Sequence, residues 1–130
     1  MKNICYLNLN ILGKYKNKVI SNNVIITNER IEHIKLKHPG DYERYFSYLP
    51  DIIQNPDYIL EDKDNVDTLL LLKDLHIIDK TVQVVIKLLT NRNDCNKSNS
   101  ILTFWHIRRR SYLSTIRNNK IIYKKLDINE

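Results

Sequence analysis

Ile26-Thr27-Asn28-Glu29-Arg30-Ile31-Glu32-His33-Ile34, followed by Lys35-Leu36-Lys37-His38-Pro39-Gly40-Asp41-Tyr42, is the stretch on which the reading of this chain turns. Thr27 has the hydroxyl of a helix N-cap, and Glu29 stands in the first turn, where the helix dipole favours a carboxylate. The helix must stop by Lys37 or His38. Pro39 disfavours helical geometry in the residue before it, and Gly40 can take a positive φ. At about 100° per residue, Ile31, Ile34 and His38 share one stripe, while His33 lies roughly opposite, beside Glu29 and Lys37. The wheel therefore aims His38 at the body of the protein and leaves His33 nearer solvent.

Working outward, a second helix is expected over 41–48, carrying Tyr42, Tyr45, Phe46 and Tyr48. A further helical turn is expected over 50–54, ended by Asn55-Pro56. Upstream, Leu7, Leu9 and Ile11 alternate with asparagines and Gly13-Lys14 offers a turn, so 7–20 reads as a hairpin and Asn22-Asn23 as a linker. Downstream, strands are expected over 58–61, 68–73, 81–89, 100–108 and 120–125. Charged or polar connections fall at 62–67, 75–80 and 91–99. The segment 108–119, opened by Arg108-Arg109-Arg110, reads as a short helix or a long loop.

The fold class is α+β: an N-terminal hairpin and short helices packed on a four- to five-stranded antiparallel β-meander. A single domain over 1–130 is expected, with 1–24 extended, 25–56 helical and 57–125 sheet. In the third of these long strands Val82, Val84, Ile86 and Leu88 share one face, and Thr81, Gln83 and Lys87 the other. Polar residues interrupt three apolar faces. Lys73 follows Leu69 and Leu71, Thr103 interrupts Ile101/Trp105/Ile107, and Tyr123 shares a face with Ile121. Each also has an ordinary reading: a snorkelling lysine, a satisfied hydroxyl, a core aromatic.

The net charge is +6, with 21 Lys and Arg against 15 Asp and Glu. A surface of that sign favours a polyanionic partner. His106, Arg108, Arg109 and Arg110 are the candidate nucleic-acid contacts. Cys5 and Cys95 match no metal spacing and read as free thiols of a reducing cytosol, so a cytoplasmic protein is expected. No metal site, no cofactor and no membrane span are expected. With two glycines in the chain, phosphate-cradling glycine loops are nearly excluded. Histidine moves protons near neutral pH. Self-cleavage of RNA by its 2′-hydroxyl needs a base, an acid and donors for the phosphorane, and His, Lys, Thr, Tyr and Arg can supply them without a metal.

Several runs resemble the phage-borne branch of the barnase–EndoU–colicin–RelE (BECR) nuclease superfamily. They are Ile26-Thr27-x-x-Arg30-Ile31-x-His33-Ile34 with His38-Pro39-x-Asp41-Tyr42; Leu49-Pro50 to Ile59; Leu70-Leu71-Leu72-Lys73; 82–88; Ser100 to Thr103; and Lys120 to Lys125. The resemblance covers about 26–125 and leaves the N-terminal region outside it. It implies helices on a four-stranded antiparallel meander with a site in the cleft between them. It also implies metal-independent RNA cleavage to a 2′,3′-cyclic phosphate, of the toxin or phage-effector type. The matching positions are His33, His38, Lys73, Thr103 and Tyr123; which histidine is catalytic stays open. RNA, with tRNA among the candidates, is the expected substrate, and an antitoxin or immunity protein the expected partner. Two rivals stand beside the enzyme: a non-catalytic nucleic-acid-binding module on the same fold, and a protein-interaction factor of a phage or mobile element.

Overall fold

A computed structural model describes residues 1–91 and 98–126. Among them, seven strands form one sheet: β1 (Lys2–Tyr6), β2 (Asn23–Ile26), β3 (Tyr58–Glu61), β4 (Thr68–Leu75), β5 (Lys80–Lys87), β6 (Asn99–Ile107) and β7 (Lys120–Lys124). Their spatial order is β1-β2-β6-β5-β4-β3-β7. Every pair is antiparallel except β2 with β6, which is parallel and short: Val24 opposite Asn99 and Ile25 opposite Ser100. The helices are α1 (Asn28–Lys37), α2 (Asp41–Tyr45), α3 (Leu49–Gln54) and α4 (Arg109–Asn118). The architecture is α+β and BECR-like, with the sheet wider than the four or five strands expected.

The N-terminal expectation needs correction. A hairpin does exist, between β1 and β2, but its strands lie outside 7–20. Residues 7–20 hold two 3₁₀ turns, Leu9–Ile11 and Gly13–Asn17. The alternation of Leu7, Leu9 and Ile11 places these side chains in or against the helix-side core without any strand. Gly13 carries φ 56°, and a Cβ there would meet the Ile122 side chain at 3.1 Å, so the turn seats on β7. Tyr15, buried, donates its hydroxyl to Glu61 at 2.8 Å, and Lys14 pairs with the same carboxylate at 2.7 Å. These two contacts hold the Glu61 carboxyl below its usual range. Cys5 is half-buried, and desolvation pushes its thiol up to about 11. Cys95 and most of the expected 91–99 loop lie outside the described residues.

α1 starts where the N-cap required: the Thr27 hydroxyl accepts the Arg30 N–H at 3.3 Å. Ile31 and Ile34 are buried, and α1 to α3 cover one face of the sheet. Val82, Val84 and Ile86 lie in that core with Ile59, Leu69, Leu71 and Phe104. The opposite face carries a second cluster, Leu60, Leu70, Leu72, Val85 and Ile107, roofed by Tyr112 and Ile116 of α4. The ambiguous 108–119 segment is thus a helix because the sheet's second face needs an apolar cover. The run Ile101/Thr103/Trp105/Ile107 does not share one face. β6 holds one extra residue, since Thr103 faces Val85 while Ile101 faces Ile86. The bulge turns Ile101 into the helix-side core and leaves Thr103, Trp105 and Ile107 on the other side.

Asn99 knits this topology. It is fully buried; its carbonyl oxygen accepts the Leu89 N–H at 2.8 Å, and its amide donates to Ser21 O at 2.6 Å and Asn23 O at 2.9 Å. Replacing it strands one donor and two acceptors beneath the β2–β6 junction. Asn99→Ala is expected to cost about 2–4 kcal/mol, read as a lower urea midpoint at unchanged m-value. A loss below about 1 kcal/mol contradicts that role.

Candidate active site

β2 pairs with only the first residues of β6. Beyond them α1 runs beside the strand, and the chain turns back at His38-Pro39-Gly40-Asp41. The Asp41 N–H donates to His38 O at 3.0 Å, and Gly40 sits at φ 85°, ψ −17°. Proline at the second position and a left-handed glycine at the third make this a type II turn. It delivers Asp41 to the first turn of α2 with its carboxylate against the far end of β6.

Asp41 is 3% exposed. Its Oδ2 accepts the backbone N–H of His106 at 3.1 Å, closing a hydrogen bond on the strand margin that β2 does not reach. The same carboxylate faces the His106 ring, with Nδ1 at 3.0 Å from Oδ2 and 3.2 Å from Oδ1. An ionised carboxylate only accepts, so Nδ1 carries the shared proton and Nε2 is the ring's free nitrogen. The His106 side chain is 43% exposed. Around the pair stand Arg44, 3.8 Å from Oδ1, and the buried Tyr45, whose ring centroid lies 6.0 Å from that of His106. Burial, and then the Asp41 charge, push the Tyr45 phenol above its usual range.

His38 occupies the other side of the strand end. It is the C-cap of α1, at φ −131°, ψ 72°, so the wheel no longer governs it. Its ring stacks on Trp105, with centroids 4.9 Å apart and planes 5° from parallel. Desolvation lowers its proton affinity first. Asp41 opposes that, and the nearby His33, His106 and Lys37 add to it. His38 and His106 therefore flank the end of β6 within reach of each other's charge.

The other expected residues are placed as follows. His33 is exposed on α1. Arg108, the N-cap residue of α4, and Arg110 are exposed two and four residues beyond His106 in the chain, and Arg109 lies over the Tyr112 ring at 4.8 Å. Lys73 shares a row with Val82 and His106, two strands and about 10 Å away. Its ammonium is tied to Asn55 O at 2.5 Å and to Asp51 at 3.6 Å, across the C-terminus of α3. Thr103 lies on the α4 side of the sheet, its buried hydroxyl without a hydrogen-bond partner. Tyr123 is on β7, four strands and about 19 Å from β6. The structure thus brings His38 and His106 together just before the Arg108–Arg110 run, and does not bring Tyr123 to them. Asp41 and Trp105 belong to this constellation and were not among the expected site residues. In the sequence Asp41 shows itself only as an acidic residue directly after Pro-Gly and as part of the His38-Pro39-x-Asp41-Tyr42 run of the resemblance.

Two further features help to place the site. A depression of about 210 Å³, lined by Thr27, Arg30, Lys87, Ser100 and Leu102, opens near the start of β6, at the opposite end of that strand from His106. Among the described residues no three His, Cys, Asp or Glu side chains gather as a metal-binding group. No helix among them is long and apolar enough to cross a membrane.

The chain belongs to the phage-Barnase-EndoU-ColicinE5/D-RelE like nuclease2 family, whose model matches residues 8–124. That match begins at Asn8, so the N-terminal turns, thought to lie outside the resemblance, are part of the family's unit. No curated protein and no solved structure matches the chain. A nuclease family implies a nucleic-acid substrate.

The His38 environment carries a pH consequence. Its folded-state pKa is lowered, so the stability that the neutral stacked ring contributes is complete above the ordinary histidine value of about 6.5. It is lost as pH falls from there through the lowered value, because the unfolded chain takes up the proton first. In an NMR titration the His38 ring protons should turn below the midpoint of an unstructured histidine peptide, and Trp105→Ala should move them upward. A midpoint at or above the peptide value contradicts the burial argument.

Proposed function

We propose that this member of the nuclease family is a metal-independent RNA endonuclease that cleaves by 2′-hydroxyl attack, leaving a 2′,3′-cyclic phosphate and a 5′-hydroxyl. The observation that carries the reading is that His38 and His106 meet at one end of β6, with Arg108 and Arg110 exposed two and four residues further along the chain. His38 is the general base. Its partly desolvated ring favours the neutral state, which is the form able to take the 2′-hydroxyl proton. His33, one helical turn away on the same helix, contributes to the field around it. Arg108, Arg110 and Arg44 are the groups with free reach to a phosphate. Their bidentate donors suit the extra charge of a phosphorane.

Lys73 and Tyr123 act through the scaffold in this reading, one capping α3 and the other packing at the β7 edge. Thr103 lies on the α4 side of β6, its buried hydroxyl without a hydrogen-bond partner, and takes no part in the chemistry in this reading. A cytoplasmic setting and a cognate antitoxin or immunity protein accompany a ribonuclease of this kind. Transfer RNA is one candidate among its substrates.

Purified protein incubated with total RNA in EDTA should give fragments with cyclic-phosphate ends, and a DNA strand of the same sequence should stay intact. His38→Ala should lower the rate by about a hundredfold or more. Cleavage by His38→Ala at the wild-type rate, or products ending in 5′-phosphate, overturns this mechanism. Strongly salt-dependent RNA binding without product favours a binding module built on the exposed Arg108 and Arg110.

A further inference from the structure

We propose that His106 is the general acid of this site, returning a proton from Nε2 to the leaving 5′-oxygen, and that Asp41 is the positioning residue that holds it there. The assignment rests on the ribonuclease reading above and supplies the second half of the reaction. The 2′-O–H bond breaks and its proton passes to His38. The 2′-oxygen then bonds to phosphorus, the P–O5′ bond breaks, and the 5′-oxygen leaves with the proton of His106. One proton is taken and one given, and charge balances with no co-reactant beyond the RNA.

The geometry divides the roles. Nδ1 of His106 is engaged by a carboxylate that is almost fully buried, so the ring cannot turn without abandoning that partner. The carboxylate is itself anchored twice, by the strand-end N–H of His106 and by the turn that begins at His38. A negative charge beside the ring suits a group that must arrive protonated. Among the described residues no carboxylate hydrogen-bonds His38; it has an indole face, and the more distant charge of Asp41 is set against those of His33, His106 and Lys37. Two imidazoles in one site with unlike surroundings are suited to opposite halves of an acid–base reaction. The groups facing His106 are Asp41, Arg44 and Tyr45 from α2 and His38 from the end of α1. Its neighbour on β5 is the apolar Val82, and Arg108 lies two residues on along its own chain.

The test uses an RNA whose cleaved linkage has been mapped, made once with oxygen and once with a bridging 5′-sulfur, which leaves without a proton. His106→Gln should slow the oxygen substrate by about a hundredfold or more and the sulfur substrate by less than about tenfold. His38→Gln should slow both. Asp41→Asn keeps an acceptor for the strand N–H but loosens the hold on Nδ1, so it too should slow the oxygen substrate more than the sulfur substrate. Equal slowing of both substrates by His106→Gln, or no slowing of either, overturns the acid assignment while leaving His38 and the ribonuclease reading intact. Equal slowing of the two substrates by Asp41→Asn, or no slowing of either, overturns the positioning role. A folded wild-type chain that cuts total RNA nowhere overturns the ribonuclease reading and this assignment with it.

Discussion

Four consecutive residues, His38-Pro39-Gly40-Asp41, hold the candidate site of this protein together, and they do it with one turn and one carboxylate. The sheet has a difficulty at β6. Its neighbour β2 is short and parallel, and leaves the strand after Ser100, so the margin of β6 faces a helix rather than another strand. A backbone N–H left there without an acceptor is costly. Asp41 supplies the acceptor for His106. It can do so only because the glycine at the third turn position accepts φ 85° and lets the chain reverse inside the length of one side chain. The same turn hangs His38 over Trp105. Satisfying a strand edge and assembling a two-histidine corner are one structural act.

That dependence explains which parts of the molecule could be read in advance. α1 announced itself through Thr27, Glu29 and Pro39, because caps and breakers are local chemistry. The strands from 58 to 124 followed from alternation, because their side chains feel a period of two wherever a face is buried. Residues 7–20 misled for the opposite reason. Alternating leucines with asparagines between them can also line a 3₁₀ turn, and the strand that pairs with β1 begins only at Asn23. The sheet was wider than expected because β2 joins it by a parallel pairing, which no hairpin signal marks.

The site was less legible than the fold. Thr103 and Trp105 were grouped with Ile101 on one face, and a single bulge residue in β6 moved Ile101 to the other. Tyr123 looked equivalent to Lys73 as a polar interruption, yet the strand order places β7 at the far edge of the sheet. The Asp41–His106 contact joins residues 65 positions apart, and no spacing rule encodes it. The wheel argument that turned His38 inward was right about direction and wrong about destination, since the helix ends at that residue and its ring goes to an indole on the far side of the strand.

The strand order also says something about time. The second strand lies beside β6, the next-to-last described strand, with β1 on its outer edge, and the pairing of Val24 with Asn99 spans 75 positions. Contacts of such separation form late, because a long loop must close before they reward it. During synthesis, α1, the turn and Asp41 leave the ribosome early but have nothing to hold until β6 follows. A growing chain therefore carries His38 without His106, and Asp41 without the N–H it must cap. For a member of a nuclease family, the two-histidine corner comes into being only once β6 has been made, some 65 residues after the aspartate that caps it.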